Sequence, residues 1–414
     1  MRLILTLLSL SAVCSAQGIT LGADVGLRIS NDRPEDGASN SKRYLVGPMI
    51  EFRLTDAGEY NDAAWAEGLR FKVSADLPSR LRWPITPTGD LSMKGASPVP
   101  PADVGNHRLI AAFTDRPPAS ARLPVSYQRV PGRLRAAIGS AIGRWNRRQV
   151  NRWASFPGWP LDLSADLLFD LSLPTSPPPV TPVPVVLTHD IDSSEGLQNL
   201  VTRFLAAEEA VGARSTNYVV PCAWHIDDAL MAEVTARGHE IGVHGYDHSN
   251  RTPFADDGER QRRLDAALPF AKRHGATTYR APSLLRTRAL LRDLAARYVC
   301  DSSIPTSGGL FPVPNNGCAS ARPFAIENIL ELPLSMPRDG SLRFLGYTPD
   351  EIVRLWIDCA DLIARSRGIV VLLTHCERHF SGDDGMFGGY RRFLQHVAER
   401  PERFTFKRVS EILV

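Results

Sequence analysis

A regular alternation of apolar runs and helical stretches, starting near residue 183, is the feature that most constrains the fold. Seven short runs are rich in apolar or β-branched residues, and amphipathic stretches of helical periodicity lie between most of them. The runs span 183–190, 214–221, 239–245, 276–282, 298–303, 329–335 and 369–375. Such alternation favours parallel strands joined by right-handed crossovers. We therefore predict an α/β fold: a distorted seven-stranded (β/α) barrel over 185–414, with a long loop at 304–328 and functional residues at the carboxyl ends of its strands.

The chain before the barrel divides into three predicted segments. Arg2, an apolar run to residue 13 and the small residues up to Ala16 predict a signal peptide over 1–16. Alternating apolar residues then predict antiparallel strands in a smaller β-rich accessory region, 17–173, which ends with a basic helix at 133–153. Six prolines in 174–184 predict a stiff, extended linker there.

Composition and charge exclude several classes of function. The 414 residues are 43% hydrophobic and 22% charged, as in an ordinary soluble globular protein. The net charge of +3 is too small to suggest a nucleic-acid partner, and no later run approaches the roughly 20 apolar residues of a transmembrane span. Five cysteines follow the signal peptide without a CxxC pair, which indicates neither a zinc knuckle nor a disulfide scaffold. Export predicts a secreted protein, or one in the periplasm or cell envelope.

Two acids stand at the end of the first predicted strand. Side chains alternate across a strand, so Asp190 and Asp192 project to one side while His189 and Ile191 project to the other. Two neighbouring carboxylates beside a buried strand are costly unless a cation is close to them. A pair of solvated loop acids is the alternative interpretation of this stretch alone.

Two histidines stand at the end of the third predicted strand. Gly245 lets the chain turn after His244, and one helical turn would bring His248 to the same side. Two imidazoles and an acid from another strand supply the N, N and O ligands that suit catalytic zinc. His239 lies at the opposite end of that strand, so we expect it to be a packing or surface histidine.

Five short polar segments stand at or near the predicted strand ends. In order, they are Thr188-His189-Asp190-Ile191-Asp192, His244-x-x-x-His248, Tyr279-Arg280-Ala281-Pro282-Ser283, Asp301-Ser302-Ser303 and Leu372-Leu373-Thr374-His375. Together they resemble the motifs of polysaccharide deacetylases with a NodB homology domain, carbohydrate esterase family four. The resemblance covers roughly 180–410. The first motif departs from the commonest form, because one residue separates its aspartates, as in an Asp-x-Asp branch. The aromatic residues usual near the fourth motif are absent.

The resemblance implies a metal site and a base. Asp192, His244 and His248 would bind a divalent metal, which is zinc in our first interpretation, with cobalt, nickel, manganese and iron as alternatives. Asp190 would accept the proton of the attacking water. The reaction implied is hydrolysis of an acetamide, a carbon–nitrogen bond other than a peptide bond, on an N-acetylated polysaccharide.

The other motif residues receive roles in the same way. Arg280 would pair with Asp190 and orient it, and the backbone N–H of Ser283 would face the oxyanion. His375 would protonate the leaving amine, and Asp301 would keep that histidine protonated. Leu373 resembles the wall that contacts the acetyl methyl group.

The expected partner is an N-acetylated glycan (peptidoglycan, a chitin-like polymer or an exopolysaccharide) at or beyond the cell envelope. Three other interpretations stay open: a metal-dependent hydrolase of non-carbohydrate amides on the same fold, an iron oxygenase with two histidines and one carboxylate, and a non-catalytic glycan-binding relative. Trp224, Tyr246 and Phe380 follow strand ends where sugar rings could stack, although rim packing is the simpler expectation.

Overall fold

The structure is a computed structural model of the chain. It describes residues 26–30, 49–53, 61–62, 72–73, 97–98, 102–104, 107–109, 111–113, 117–122, 137–142, 182–306, 316–318, 320–365 and 367–413. The predicted signal peptide, 1–16, and residues 174–181 of the predicted linker lie outside these ranges.

All seven predicted barrel strands are present. They are β1 Val183–Ile191, β2 Ser215–Val219, β3 Glu240–Val243, β4 Thr278–Tyr279, β5 Cys300–Asp301, β6 Ile329–Glu331 and β7 Val370–His375. β1 begins two residues before the predicted start of the barrel, so residues 183–184 of the predicted linker belong to the strand. The strands pair in parallel in the order β6-β5-β4-β3-β2-β1-β7, which confirms the predicted fold class.

The barrel is distorted because its two end strands do not share a continuous ladder. The segment after β6 bonds to β7 through Met336 N–H to the carbonyl of Val371, 3.1 Å, and through the Ser335 hydroxyl. That hydroxyl accepts from Val371 N–H at 2.8 Å and donates to the carbonyl of Ile369 at 2.6 Å. One backbone hydrogen bond and the hydroxyl of Ser335 therefore take the place of the continuous ladder that a closed barrel would have at this seam.

Strand alternation divides β1 between two cores. Val186 packs in the interior cluster of the barrel with Leu284, Leu332 and Leu373. Val185, by contrast, belongs to the larger cluster between the sheet and the helices. Residues an even number apart on a strand share a face, so Asp190 points to the interior of the barrel like Val186. His189 points to the opposite side, toward the helices. On that side His189 Nε2 lies 2.8 Å from Glu208 Oε1. His189 therefore points away from Asp190, as the strand alternation predicts.

Helices cover the outside of the sheet. They are α1 Ser194–Asn199, α2 Leu205–Glu209, α3 Asp228–Ala236, α4 Asp257–His274, α5 Arg288–Ala295, α6 Asp339–Phe344, α7 Pro349–Arg365 and α8 Asp384–Ala398. α1 and α2 are joined by a π-helical segment, Leu200–Phe204, so they form one continuous rod. Helix α4 starts at the Asp256 side chain, which accepts from Glu259 N–H, and ends at Gly275 in the left-handed conformation.

The segment predicted as a long loop, 304–328, contains two short strands. Phe324–Ile326 pairs antiparallel with β6. Asn316–Cys318 pairs antiparallel with Ala111–Phe113 of the N-terminal region. The loop prediction was therefore wrong for these residues, because pairing with a partner distant in sequence is not visible in their local pattern.

The described parts of the N-terminal region are β-rich, as predicted. Gly26–Ser30 pairs antiparallel with Met49–Arg53, with Ile29 opposite Ile50. Residues 137–142 are helical and lie inside the predicted basic helix. None of the described helices has the length and hydropathy needed to cross a bilayer. The cysteines at 222, 300, 318, 359 and 376 are all free thiols.

Candidate active site

The predicted site residues meet at one rim of the barrel, where the parallel strands end. Asp190 near the end of β1 lies opposite His375, the last residue of β7. Tyr279 at the end of β4 lies opposite Asp301 at the end of β5. In (β/α) barrels the chemistry takes place at this rim, so its position agrees with a catalytic role.

Asp192, His244 and His248 form a compact cluster of metal-ligand atoms. One atom from each residue lies within 4.8 Å of the others. His244 Nε2 is 3.5 Å from Asp192 Oδ1, and His248 Nε2 is 3.4 Å from Asp192 Oδ2. Four ligands around zinc at its usual bond lengths are about 3.3 Å apart, so these separations suit a single cation.

His248 reaches the cluster from a loop, which corrects the predicted helical turn. Residues 244–250 are not helical, and both Gly245 and His248 have a positive φ, 71° and 56°. A Cβ on Gly245 would lie 2.4 Å from the ring of Pro282, so only glycine fits between this loop and the next one. The centroids of the two imidazole rings are 5.1 Å apart, and the ring planes make an angle of 70°.

A polar network holds this loop in place. Asp247 Oδ1 accepts hydrogen bonds from Ser249 N–H, 3.0 Å, and from the Ser249 hydroxyl, 2.5 Å. Arg263 of α4 donates to both side chains, at 3.2 Å and 2.9 Å. His248, whose φ is positive, lies between Asp247 and Ser249. The hydrogen bonds of these two neighbours offset the free energy that a left-handed backbone costs at a non-glycine residue.

The ligand atoms themselves indicate that a cation fits this cluster. Among the described residues, Asp192 Oδ1 and His244 Nε2 are buried without a hydrogen-bond partner. The other ring nitrogen of His244, Nδ1, donates to the carbonyl of Arg280 at 3.0 Å, which turns Nε2 toward the cluster. Burial lowers the pKa of His244 to about 4, so the ring is neutral at pH 7, the form that binds metal.

Asp190 and Arg280 form a buried pair beside the cluster. Arg280 Nη1 donates to Asp190 Oδ1 at 3.1 Å and to the Thr188 hydroxyl at 2.8 Å. Ser302 accepts two further hydrogen bonds from the same guanidinium, and the ring of Tyr218 lies 4.1 Å from its carbon. This environment fixes Arg280, and Arg280 fixes the orientation of the Asp190 carboxylate.

The two oxygens of Asp190 face different neighbours. Oδ1 contacts Arg280, whereas Oδ2 lies 3.4 Å from His244 Nε2. Burial opposes the negative charge, but His244, Arg280 and His375 together lower the pKa of Asp190 below its ordinary value. Asp190 is therefore ionised, with one oxygen directed at the ligand cluster.

Ser283 lies in a tight turn after β4. Its φ is 51°, in the left-handed region. The turn makes two backbone hydrogen bonds, from Leu284 N–H to Ala281 and from Leu285 N–H to Pro282, and neither uses the N–H of Ser283. The Ser283 N–H is thus not committed to the hydrogen bonds of its own turn.

His375 is held by Asp339, a residue that sequence reasoning missed. His375 Nδ1 donates to Asp339 Oδ1 at 2.8 Å, and the backbone N–H of His375 donates to Oδ2 at 2.8 Å. Burial disfavours the imidazolium, but Asp339, together with the charges of Asp190 and Asp192, raises the pKa of His375 to about 9. His375 is therefore protonated at neutral pH.

The expected partnership of His375 with Asp301 is corrected by this geometry. The carboxylate of Asp301 forms a buried bidentate pair with Arg286 and accepts from the Ser303 hydroxyl at 3.2 Å. Ser303 in turn accepts from Ala281 N–H at 2.9 Å, next to the turn that contains Ser283. Asp301 thus braces that turn. Asp339 belongs to none of the sequence motifs, because it is the first residue of α6, between two strands. Only its contact with His375, 36 residues later in the chain, shows its role.

Three aromatic residues follow strand ends, where sugar rings could stack. Phe380 lies against the His375 ring, with centroids 4.5 Å apart. Tyr246 lies under the guanidinium groups of Arg262 and Arg263. Trp224 packs against the main hydrophobic core. Leu373, expected to contact an acetyl group, is buried in the interior cluster of the barrel.

Comparisons with known proteins give structural likenesses only. No protein-family model matches the sequence, and no curated protein sequence is significantly similar to it. A Mycobacterium smegmatis protein assigned as a polysaccharide deacetylase has 20% identity and a TM-score of 0.44, over 58% of this chain and 92% of that one. The PuuE allantoinase has 15% identity and a TM-score of 0.43, over 58% and 93%.

A third solved structure is the chitin deacetylase of Colletotrichum lindemuthianum, with 15% identity and a TM-score of 0.37 over 58% of this chain and 92% of that one. These values are too low for an activity to be transferred, so function must follow from the site itself. The chain is similar in structure to polysaccharide deacetylases, and its described part from residue 183 onward has the distorted seven-stranded barrel predicted from its sequence.

Proposed function

We propose that this protein is a secreted, metal-dependent N-deacetylase that hydrolyses acetamide groups on an N-acetylated polysaccharide. One observation carries the proposal: a three-ligand metal cluster shares one rim of the barrel with the Asp190 carboxylate, 3.4 Å from His244, and with His375, the strand partner of Asp190. Amide hydrolysis needs a base for the attacking water and an acid for the departing amine. This rim offers one of each at neutral pH.

Asp192, His244 and His248 would hold the metal. Their N, N and O donors are those of catalytic zinc sites that leave a position for water or substrate. A divalent cation there would polarise the amide carbonyl and make water acidic enough to attack at neutral pH. Zinc is the first choice, and the same donors accept cobalt, nickel, manganese or iron.

Asp190 acts as the general base. Its Oδ2 accepts a proton as the water oxygen adds to the carbonyl carbon, while Oδ1 stays bonded to Arg280. Arg280 keeps the carboxylate in one orientation at the cost of some basicity. The N–H of Ser283 donates to the oxyanion as it forms.

His375 acts as the general acid. It gives a proton to the nitrogen as the carbon–nitrogen bond breaks, so that acetate and a free amine leave. Asp339 holds Nδ1, so Nε2 is the nitrogen that delivers the proton. Asp301 acts indirectly: it accepts a hydrogen bond from Ser303, which in turn holds the turn that contains Ser283.

An extracellular glycan is the proposed substrate because the sequence begins with a predicted signal peptide and a β-rich accessory region precedes the barrel. Purified protein should contain about one equivalent of metal. It should release acetate from at least one of chitooligosaccharide, peptidoglycan and an N-acetylated exopolysaccharide. Allantoin and simple acetamides are the controls, and hydrolysis of these alone would favour a non-carbohydrate amidase and refute the glycan proposal.

Asp339→Asn should move the basic limb of the pH profile of kcat/KM downward. The Asp339 hydrogen bond and charge raise the pKa of His375 to about 9, and the general acid works only below that pKa. A hydrogen bond to a charged group contributes roughly 1.5–3 kcal/mol, which corresponds to a shift of roughly one to two pH units. The measurement is kcat/KM from pH 6 to 10.

Asp384→Asn is the matched control for this variant, because Asp384 is an exposed carboxylate bonded to Arg203. Its basic limb should coincide with that of the wild type. If Asp339→Asn also left the limb in place, Asp339 would not set the protonation of the general acid.

A further inference from the structure

Glu377 is a buried carboxylate that none of the roles above uses. It follows His375 by two residues, just after β7. Its Oε1 accepts hydrogen bonds from the backbone N–H of Asp192, 3.0 Å, and from the hydroxyl of Ser193, 2.9 Å. One oxygen thus holds the chain at a metal ligand that lies 185 residues earlier.

Asp192 needs such an anchor because strand pairing ends before it. β1 stops at Ile191, whose carbonyl accepts a hydrogen bond from the N–H of Val220, the residue after β2. Helix α1 starts only at Ser194. Asp192 therefore lies between two regular elements, and the bond from its N–H to Glu377 fixes the direction of its side chain.

The slot around Glu377 fits its carboxylate closely. A Cβ on Gly196 would lie 2.1 Å from Oε1 and 3.2 Å from Oε2, so glycine is what leaves room for the carboxylate against α1. Oε2 is buried and has no hydrogen-bond partner among the described residues. A buried carboxylate oxygen without a hydrogen-bond partner lowers the stability of the fold. A residue with a purely structural role would have no reason to introduce this unfavourable group.

We infer that Glu377 is a positioning residue for the metal site: its carboxylate, seated against Gly196, sets the backbone at Asp192 so that the ligand oxygens meet His244 and His248. The inference rests on the proposed function, since it assumes that these three residues bind a metal. A different role for Glu377 is to stabilise the start of α1 through Ser193, whose hydroxyl accepts from Gly196 N–H. That role alone would affect folding and leave metal affinity unchanged.

Zinc binding to metal-free protein, measured by competition with a chromophoric chelator, separates the two roles. Glu377→Ala should raise the zinc Kd by about 10–100-fold, the usual effect of losing a partner that orients a ligand. Glu377→Gln keeps an acceptor oxygen for Asp192 N–H and should bind within about threefold of the wild type. Glu195→Ala is the control on the same helix, because Glu195 is exposed and pairs with Arg378.

Gly196→Ala tests the inference without changing Glu377. Alanine is more favourable than glycine inside a helix, so the variant should fold. Its methyl group would displace the Glu377 carboxylate and raise the zinc Kd as Glu377→Ala does. In the double variant the two effects should not add, because both remove the same contact.

The outcomes are distinct. If wild-type protein bound no zinc or other divalent metal, the proposed function would fail. If the wild type bound zinc and both Glu377→Ala and Gly196→Ala bound it equally well, the function would stand and Glu377 would be structural only. A Glu377→Gln variant as weak as Glu377→Ala would also overturn the inference, since the acceptor would then not matter.

Discussion

Replacing Asp190 with asparagine is expected to lower kcat/KM for deacetylation by about 10³-fold, the middle of the range that a general base contributes. Asparagine keeps an oxygen for the hydrogen bond from Arg280 but cannot accept the proton of water. The proposed ligands Asp192, His244 and His248 are unchanged, so metal binding should remain. Acetate release and metal content, measured on the same preparation, test both halves of this expectation.

Asp192→Asn is the matched comparison, since it makes the same chemical change two residues along the chain. It weakens a ligand, so it should lose both metal and activity. The contrast assigns the two aspartates of the Asp-x-Asp motif. Full activity in Asp190→Asn would show that Asp190 is not the base, and loss of metal in that variant would make Asp190 a ligand.

Replacing His244 with alanine should have an effect of similar size for a different reason. His244 is buried and neutral, and its Nε2 faces the cluster without another partner among the described residues. Without it, two ligands remain. The metal is expected to supply several kcal/mol of transition-state stabilisation, and losing that corresponds to roughly 10³-fold in rate. Activity and metal content should fall together.

A chelator should remove both metal and activity from the wild-type protein. Added zinc should restore the activity of the wild type but not that of His244→Ala. His225→Ala is the control, because His225 is an exposed histidine that is not a member of the ligand cluster. Activity that survives complete removal of metal would contradict the proposed function.

The strands and most of the rim followed from the sequence because their signals are local. The apolar run that ends in Asp190 and Asp192 predicts both a strand and the side to which its acids project. Parallel strands end at one rim, so strand order alone brings His375 beside Asp190. The helical period of residues 259–274 likewise predicts α4, Asp257–His274, to within two residues at its start.

His248 shows where local reasoning failed. The spacing of four suggested a helical turn, yet the chain uses left-handed residues in a loop held by Arg263. The two histidines still meet, with their ring centroids 5.1 Å apart. The arginine that holds the loop comes from α4 and is invisible to any spacing rule within the motif.

The sequence by itself determined the barrel and the rim at which Asp190, Asp192, His244, His248 and His375 meet, because strand periodicity and strand order are properties of short segments. Only the tertiary structure decided which carboxylate serves which group. Asp339 holds His375, Asp301 holds Arg286, and Glu377 holds the chain at Asp192. These pairs depend on how separate strand ends and loops pack around the rim, and a buried charge takes whichever partner that packing brings within hydrogen-bonding distance.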